Sequence, residues 1–209
     1  MFNETEFGFE YKAPDHVIFF GNKNCTIETL QHTYPHFEFR MLKQTHSDIL
    51  IQSTTGSDLI EADAHWTAEK NIALVIKTAD CIPAFIYDLK KQIALAIHAG
   101  WRGVENQITK KSLEQIQAFE NLKVYLGPHI QKQSFECGQD VKTKLDSENN
   151  HSVQKNNKFY VDIKNILMSQ IKTPAYIDLN IDTVTNLNFN SYRRDKENCG
   201  RNLSFIAKV

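Results

Sequence analysis

The stretch IALVIKTADCIPAFIYDLKKQIALAIHAGWRG, residues 72–103, decides the fold of this chain. It contains three short apolar runs, 72–77, 82–88 and 93–99, each bounded by polar or turn residues, which is the pattern of buried β-strands. The polar DLKK segment at 88–91 predicts a hairpin between the second and third runs. The beginning of the second strand and the end of the third strand therefore meet at one edge of a sheet.

Residues that can carry chemistry gather at that edge. Asp80 and Cys81 stand just before the second strand, and His98 stands near the end of the third. A cysteine and a histidine held together on a sheet edge are either metal ligands or a nucleophile and its base. The alternative is that His98 merely ends a strand and satisfies its ring nitrogens locally. The pattern of residues leaves both interpretations open.

A Gly-Trp-Arg-Gly turn follows His98. Gly100 and Gly103 bracket Trp101 and Arg102, and glycine permits a tight turn and a close approach of the backbone to a ligand. The next residues predict one amphipathic helix over 104–119, with its apolar face formed by Val104, Ile108, Ile116 and Phe119. The positive end of that helix, together with Arg102, would make a seat for an anion such as phosphate.

The rest of the chain predicts more strands than helices. Further strands are expected at 124–127, 159–163 and 176–181, and a second helix at 163–171. The polar segment 141–158 is expected to begin as a helix and to continue as a solvated loop. Strands and helices do not alternate strictly, so the expected class is α+β, or α/β with a mixed sheet.

Composition excludes several classes of function. The 209 residues include 24 basic and 25 acidic side chains, so no broad charge attracts nucleic acid or an anionic membrane. The N-terminal residues lack the pattern of a signal peptide, and no apolar run is long enough to span a bilayer. We therefore expect a cytoplasmic protein with no nucleic-acid or membrane partner. The four cysteines form no CxxC pair, and no disulfide framework is expected.

Several short motifs occur together in one order. They are Q-TH at 44–46, ADA--T at 62–67, TADC-P at 78–83, HAGWRG at 98–103, GP-I at 127–130, FECGQDV at 135–141 and SYRRD with a following GR at 191–201. In this combination the chain resembles the YfiH family, whose members are called laccase-domain or polyphenol oxidoreductase proteins and, in another description, purine nucleoside phosphorylases. The resemblance runs from about residue 40 to the C-terminus.

The resemblance implies one compact α+β domain over 1–209 with layered mixed β-sheets. It also implies a zinc site whose ligands are His46, Cys81 and His98, a set that leaves the fourth position of zinc open for catalysis. Copper is the less favoured metal. The implied partners are inorganic phosphate and a purine nucleoside: adenosine, inosine, guanosine or methylthioadenosine. A monomer is expected.

The implied reactions are phosphorolysis of the nucleoside and deamination of adenosine. Cys81 and His98 would be catalytic as metal ligands, and Asp80 would shuttle protons in the deamination. Arg102 would bind phosphate, with Arg194 as a second choice. The chain departs from the family pattern at three positions: Ser47 replaces a usual glycine, Cys137 replaces a usual valine, and Asp182 replaces a frequent cysteine.

Three other functions compete with this interpretation. A copper-dependent polyphenol oxidase would need many histidines, and the chain has eight with no HxH pair. A metal-free cysteine hydrolase would use Cys81 as nucleophile and His98 as base, and would not need His46. A binding module could use the same pocket to sense a purine or a nucleotide without turnover.

Overall fold

The computed structural model describes residues 1–56, 59–148, 150–171 and 176–209. Fifteen strands lie in these ranges: β1 (Asn3–Thr5), β2 (Gly8–Lys12), β3 (His16–Gly21), β4 (Glu38–Arg40), β5 (Leu50–Gln52), β6 (Ala64–Thr67), β7 (Ile72–Thr78), β8 (Ile82–Asp88), β9 (Ile93–Ala99), β10 (Leu122–Leu126), β11 (Glu136–Cys137), β12 (Ser152–Lys155), β13 (Lys158–Val161), β14 (Tyr176–Asp178) and β15 (Asn202–Lys208). The helices are α1 (Ile27–Thr33), α2 (Trp101–Glu105), α3 (Ile108–Gln115), α4 (Gln139–Leu145), α5 (Ile163–Ser169) and α6 (Tyr192–Asp195), with a short 3-10 turn at Lys196–Asn198.

Two mixed six-stranded sheets form the frame. The first sheet has the order β1-β2-β3-β15-β7-β4, and the second has the order β14-β10-β8-β9-β6-β5. Each sheet contains parallel and antiparallel pairs: β4 runs parallel to β7 in the first, and β5 runs parallel to β6 in the second. A small third sheet, β11-β13-β12, stands apart. This arrangement confirms the predicted α+β class with layered mixed sheets.

The strands of the central stretch are apolar on both faces because both faces are covered. In β8, Ile82, Ala84 and Ile86 belong to the core cluster that includes α2, α3 and α5, whereas Phe85 and Tyr87 belong to the cluster between the two sheets. Strands buried on both faces need continuous apolar runs rather than alternation. Phe85 stacks on Phe20 of the first sheet with ring centroids 5.2 Å apart. Truncating such a ring to alanine costs roughly 3–5 kcal/mol.

The predicted hairpin is confirmed. β8 and β9 pair antiparallel with Asp88 opposite Ile93 at the turn and Ile82 opposite Ala99 at the other end. The strand before them, β7, belongs to the other sheet, where it pairs with β15. The short link at residues 79–81 therefore carries the chain from the first sheet to the second.

The prediction of one helix over 104–119 was wrong. The chain forms two short helices, α2 and α3, separated where Gln107 adopts a left-handed backbone with φ of 59°. Gln107 then caps α3, since its carbonyl accepts a hydrogen bond from the Lys111 amide. The break lets Val104 and Ile108 both reach the core, while Phe119 lies beyond α3 and is 58% exposed.

The prediction for 141–158 was partly wrong. Its helical beginning is present as α4, but its second half forms the hairpin β12–β13 instead of a loop; residue 149 lies outside the described residues. Asn156 and Asn157 both have positive φ, 51° and 59°, as a tight two-residue hairpin turn requires. The predicted helix at 163–171 is present as α5, and the later strands are β10, β13 and β14.

Within the described residues, the helices are all too short or too polar to traverse a lipid bilayer.

Candidate metal centre

The β8–β9 hairpin brings Cys81 and His98 together. His98 lies opposite Pro83, and Ala99 opposite Ile82, so the residue before β8 and the residue near the end of β9 share one sheet edge. His98 is buried with 4% of its surface exposed, and Cys81 is partly exposed. The close approach predicted from the hairpin is therefore present.

His46 reaches the same place from the loop between β4 and β5. Its backbone is left-handed, with φ of 62°, which a non-glycine residue rarely adopts. Gln44 anchors the loop on β7, since its side-chain amide donates to the Lys77 carbonyl at 2.8 Å and accepts from the Lys77 amide at 2.9 Å. The His46 and His98 rings then lie 4.8 Å apart, centroid to centroid.

The three side chains form a ligand set. One ligand atom from each of His46, Cys81 and His98 lies within 4.8 Å of the others, and the Cys81 Sγ lies 3.9 Å from His46 Nε2. Gly100 leaves room for them, because a Cβ there would stand 2.8 Å from His46 Cδ2 and 3.1 Å from Cys81 Sγ. One thiolate and two imidazoles suit zinc, and three protein ligands are typical of a catalytic zinc site. The donor set therefore fits the metal that the resemblance implies.

Asp63 holds two of the three ligands in place. One carboxylate oxygen bonds His98 Nδ1 at 2.7 Å, which leaves His98 Nε2 available to a ligand. The other oxygen accepts from the Ser47 amide at 2.6 Å, the Ser47 hydroxyl at 2.7 Å and the Thr45 amide at 3.1 Å, on either side of His46. Ser47, a departure from the family pattern, thus adds a hydrogen bond that glycine cannot make. A carboxylate behind a ligating histidine fixes its tautomer and orientation.

Our sequence reasoning did not assign Asp63 a role. The residue precedes β6, and β6 pairs with β9 so that Ala64 lies opposite Ile97. Two signals were available: Asp63 belongs to the ADA--T motif at 62–67, and it stands immediately before the strand next to the histidine strand. Asp63 is completely buried. Burial by itself would raise its pKa, but the bonds from His98 and Ser47 outweigh burial and hold the pKa well below the usual range.

Cys81 and His98 shift each other's protonation in opposite directions. Burial would raise the pKa of the Cys81 thiol, but the nearby His98 and His46 imidazoles outweigh it and lower the pKa to about 6. Burial would lower the pKa of His98, but Cys81 and Asp63 raise it to about 9. Cys81 is thus poised as a thiolate at neutral pH, the form in which cysteine binds metals. A metal bound by His98 would displace the proton from its ring.

Asp80 ties distant segments to the metal centre. Its backbone is left-handed, with φ of 83°, and its carbonyl accepts from the Ile130 amide at 2.9 Å. Its carboxylate accepts from the Thr183 hydroxyl at 2.7 Å and from the Arg193 amide at 2.6 Å. The neighbouring Asp182, where the family often has cysteine, accepts from the Ser134 hydroxyl at 2.6 Å.

A cavity of about 760 Å³ opens onto the ligand set. Its apolar wall comes from several segments and includes Trp101, Ile130, Phe135, Val141 and Ile163, with Cys137 beside them. Such a volume and lining are typical of sites for small organic molecules. The predicted residues Asp80 and Arg102 both line this cavity.

Arg194, the second choice for binding phosphate, does not line the cavity. Its guanidinium donates to the carbonyls of Thr183 and Phe189, both at 2.8 Å, and pairs with Asp195 at 2.7 Å. Consecutive residues of the short helix α6 point in different directions, and it is Arg193 that lines the cavity, with its guanidinium carbon 5.9 Å from the Phe135 ring centroid. Arg194 therefore ties together the segment that runs from Thr183 to Asp195.

The multi-copper polyphenol oxidoreductase laccase family has a sequence model that matches residues 15–208. The chain belongs to this family. Purine nucleoside phosphorylase CA_C1699 of Clostridium acetobutylicum is 29% identical, over 99% of this chain and 94% of that protein. Purine nucleoside phosphorylase SERP0752 of Staphylococcus epidermidis is 31% identical, over 84% of this chain and 74% of that protein.

Solved structures share the fold of this laccase-family member. YfiH of Bacillus licheniformis superposes with a TM-score of 0.86 at 18% identity, covering 99% of this chain and 98% of that one. YlmD of Geobacillus stearothermophilus gives a TM-score of 0.86 at 19% identity, covering 99% and 97%. Despite the name of the family, the described part of this chain gathers a single set of three possible metal ligands, His46, Cys81 and His98.

Proposed function

We propose that this chain is a zinc-dependent purine nucleoside phosphorylase. The observation that carries the proposal is the Cys/His/His ligand set opening onto a cavity that Arg102 also lines. The names of its curated relatives support the same reaction. Zinc held by His46, Cys81 and His98 would supply a Lewis acid next to the substrate.

Arg102 is suited to bind the attacking phosphate. Its guanidinium carbon lies 4.4 Å from the Trp101 ring centroid, and no ion pair in the described ranges engages it. In phosphorolysis the bond between C1′ of the ribose and N9 of the purine breaks, and its electron pair goes to the purine, which takes up a proton. A phosphate oxygen bonds C1′. A guanidinium that fixes phosphate in line with C1′ lowers the entropic part of that barrier.

The apolar wall is suited to hold the purine. Phe135 and Trp101 present aromatic surface to the cavity, and aromatic rings stack on bases without demanding one base in particular. We therefore propose adenosine, inosine, guanosine and methylthioadenosine as substrates. The cytoplasmic location and the monomeric state expected from the sequence stay predictions.

Deamination of adenosine is a second candidate, favoured by the position of Asp80. This carboxylate lines the cavity next to the ligand Cys81 and already accepts two hydrogen bonds. A carboxylate has about four lone-pair positions, so Asp80 retains capacity to carry a proton. Water would replace the amino group at C6, giving inosine and ammonia.

The test is to incubate protein of measured zinc content with adenosine, with and without phosphate, and to separate the products by chromatography. Adenine and ribose 1-phosphate formed only with phosphate would establish phosphorolysis. Inosine formed in both samples would establish deamination. Adenosine recovered unchanged from zinc-loaded protein in both samples would overturn both proposals.

Parallel samples separate the rival functions. Activity that survives removal of the metal by a chelator would favour the cysteine hydrolase, in which Cys81 attacks and His98 acts as base. Oxygen-dependent oxidation of a phenol by copper-loaded protein would favour the polyphenol oxidase. Tight binding of a purine without any turnover would favour the sensing module.

A further inference from the structure

The C-terminal segment reaches the cavity at the metal centre through Arg193. Its side chain is partly buried in the cavity wall, and its guanidinium carbon lies 5.9 Å from the Phe135 ring centroid. Within the described ranges, this guanidinium forms no ion pair and no hydrogen bond with the protein. Glu136, a carboxylate of the same wall, is already paired with Lys158 at 3.0 Å. The donors of Arg193 are therefore left for a bound ligand.

Asp80 fixes the backbone of Arg193. One oxygen of its carboxylate accepts from the Arg193 amide at 2.6 Å, and the other accepts from the Thr183 hydroxyl at 2.7 Å. Asp80 is only 9% exposed, and Thr183 is fully buried. Hydrogen bonds to a carboxylate are roughly twice as strong as those between neutral groups. The loop before β8 therefore determines where α6 begins, although 113 residues of sequence separate Asp80 from Arg193.

Helix α6 depends on such contacts because it is only four residues long. The first amides of a helix have no acceptor within the helix, so in α6 they must find one elsewhere. The Ser191 hydroxyl caps the helix by accepting from the Arg194 amide at 3.2 Å. The Arg193 amide has the Asp80 carboxylate instead. Loss of that acceptor would loosen the first turn and, with it, the direction of the Arg193 side chain.

Arg193 and Arg102 both start from backbone that adjoins Cys81. Asp80, which holds the Arg193 amide, directly precedes Cys81. A Cβ on Gly100 would stand 3.1 Å from Cys81 Sγ, and Arg102 follows Gly100 in α2. Both arginines line the cavity. The structure thus ties each arginine to the same proposed metal ligand, Arg102 through Gly100 and Arg193 through Asp80.

We propose that Arg193 binds the attacking inorganic phosphate together with Arg102, and that Asp80 is the positioning residue that holds Arg193 in place. The proposal rests on the phosphorylase function proposed above. Phosphate supplies the negative charge that Arg193 lacks, and the planar guanidinium fork matches two phosphate oxygens. Asp80 acts through the Arg193 backbone and does not touch the phosphate, a role separate from the proton transfer considered for deamination.

The experiment measures the dissociation constant of inorganic phosphate by calorimetric titration of the zinc-loaded protein, without nucleoside. Arg193→Gln should weaken phosphate binding by about 10- to 100-fold, since a hydrogen bond to a charged group is worth about that factor. Lys110→Gln removes one positive charge from the exposed surface of α3 and is the matched control, which should bind phosphate as the wild type does. Phosphate binding to Arg193→Gln as tight as to the wild type would overturn the assignment.

Two substitutions of Asp80 separate positioning from proton transfer. Glycine removes the acceptor yet accepts the left-handed backbone, and it should weaken phosphate binding by about tenfold. Asparagine keeps an oxygen for the Arg193 amide, while its NH₂ group can donate to the Thr183 hydroxyl, so Asp80→Asn should restore most of the phosphate affinity. Phosphate binding to Asp80→Asn as weak as to Asp80→Gly would overturn the positioning role. If Asp80→Gly fails to fold, Thr183→Val, with Thr183→Ser as its rescue, makes the same comparison.

A double variant tests whether Asp80 acts through Arg193. Asp80→Gly combined with Arg193→Gln should bind phosphate no more weakly than Arg193→Gln alone, because the guanidinium that Asp80 positions is already gone. Losses that multiply would overturn the positioning role. These titrations do not require turnover, so failure of the proposed function is recognised separately. If phosphate binds through Arg193 but no nucleoside is cleaved, the phosphorylase proposal fails and the assignment of Arg193 stands.

Discussion

The two ends of the β8–β9 hairpin differ in how their polar groups are satisfied. At the turn, the Asp88 carboxylate accepts from the amides of Lys90 and Lys91 at 2.9 and 2.8 Å, and Gln92 takes the left-handed backbone that completes the reversal. The Asp88 carboxylate is thus satisfied within five consecutive residues, and the Leu89 amide and Lys91 Nζ donate further along the chain, to the Asn121 and Ile116 carbonyls. Such an end can form as soon as the hairpin forms.

At the open end, the partners come from far along the chain. His98 depends on Asp63, 35 residues earlier, and Cys81 meets His46, also 35 residues earlier. Asp80 accepts from Thr183 and Arg193, more than 100 residues later. The turn therefore stabilises the hairpin mainly through local hydrogen bonds. At the open end, long-range hydrogen bonds position the proposed ligands. Substitutions at the two ends should therefore affect different measurements.

The largest effect is expected for Cys81→Ser. Loss of the thiolate should lower zinc affinity by more than about 100-fold. Replacing a residue that only orients a metal ligand already lowers metal affinity by about 10–100-fold. Turnover should fall with the metal, while urea unfolding of the metal-free protein should change little. Zinc affinity is measured by competition with a chromophoric chelator. Cys199→Ser, the same substitution away from the ligand set, should keep the metal; equal zinc affinity in the two variants would contradict the ligand assignment.

Asp63→Asn should have the next largest effect. An amide cannot hold His98 with a negative charge, and its NH₂ group would face the Ser47 and Thr45 amide donors. Zinc affinity should fall by about 10–100-fold. Glu61→Gln, two residues earlier and exposed, is the control and should retain full affinity. An Asp63→Asn protein that folds and binds zinc as tightly as the wild type would show that Asp63 does not position the ligands.

His65 lies on β6, beside the hairpin and opposite Ala96 of β9, and predicts a pH effect on stability. Burial lowers its pKa to about 3 from an ordinary value of 6.5. Below pH 6.5 the unfolded chain therefore binds a proton that the folded chain does not, so stability present at neutral pH is lost as the pH falls toward 3. Between pH 7 and pH 5 the loss is about 2 kcal/mol.

Urea unfolding of His65→Gln, with chelator present, tests this effect. The variant should lose about 2 kcal/mol less than the wild type over the same pH interval. His32→Gln, which replaces an exposed histidine, should lose as much as the wild type. If the stability of His65→Gln falls with pH as much as that of the wild type, the prediction is wrong.

Asp88→Ala should have the smallest effect, and it should change only the free energy of unfolding. Two backbone amides lose their acceptor, which costs about 1–2 kcal/mol in the free energy of unfolding. Zinc affinity should stay unchanged because this end of the hairpin lies away from the ligands. Glu120→Ala, which removes only an exposed pair with Lys90, should cost less than about 1 kcal/mol. A drop in zinc affinity of Asp88→Ala would break the contrast between the two ends.

The features that could be predicted from the sequence are those that short local patterns encode. The apolar runs and the DLKK turn predicted β8 and β9 correctly, and pairing them placed Cys81 beside His98. His46 was identified only through the resemblance to a family, because nothing near Q-TH shows that its loop crosses to the hairpin. Asp63 acts through the β6–β9 pairing, which joins strands about 30 residues apart.

The errors have physical reasons too. The apolar period across 104–119 is nearly helical throughout, yet the left-handed backbone at Gln107 splits it, and polar glutamine gives no warning of that break. Arg193 and Arg194 are identical in type and adjacent in sequence. Only the carbonyls around Arg194 decide which guanidinium faces the cavity.

The proposed ligands His46 and Cys81 both lie on links that lead from the first sheet to the second, His46 between β4 and β5 and Cys81 between β7 and β8. The ligand set can therefore close only after the two sheets have docked. The first sheet in turn needs β15, which fills the place between β3 and β7. Metal uptake should accordingly depend on β15 being paired in the first sheet, so that a bound metal would report that this strand has joined the fold.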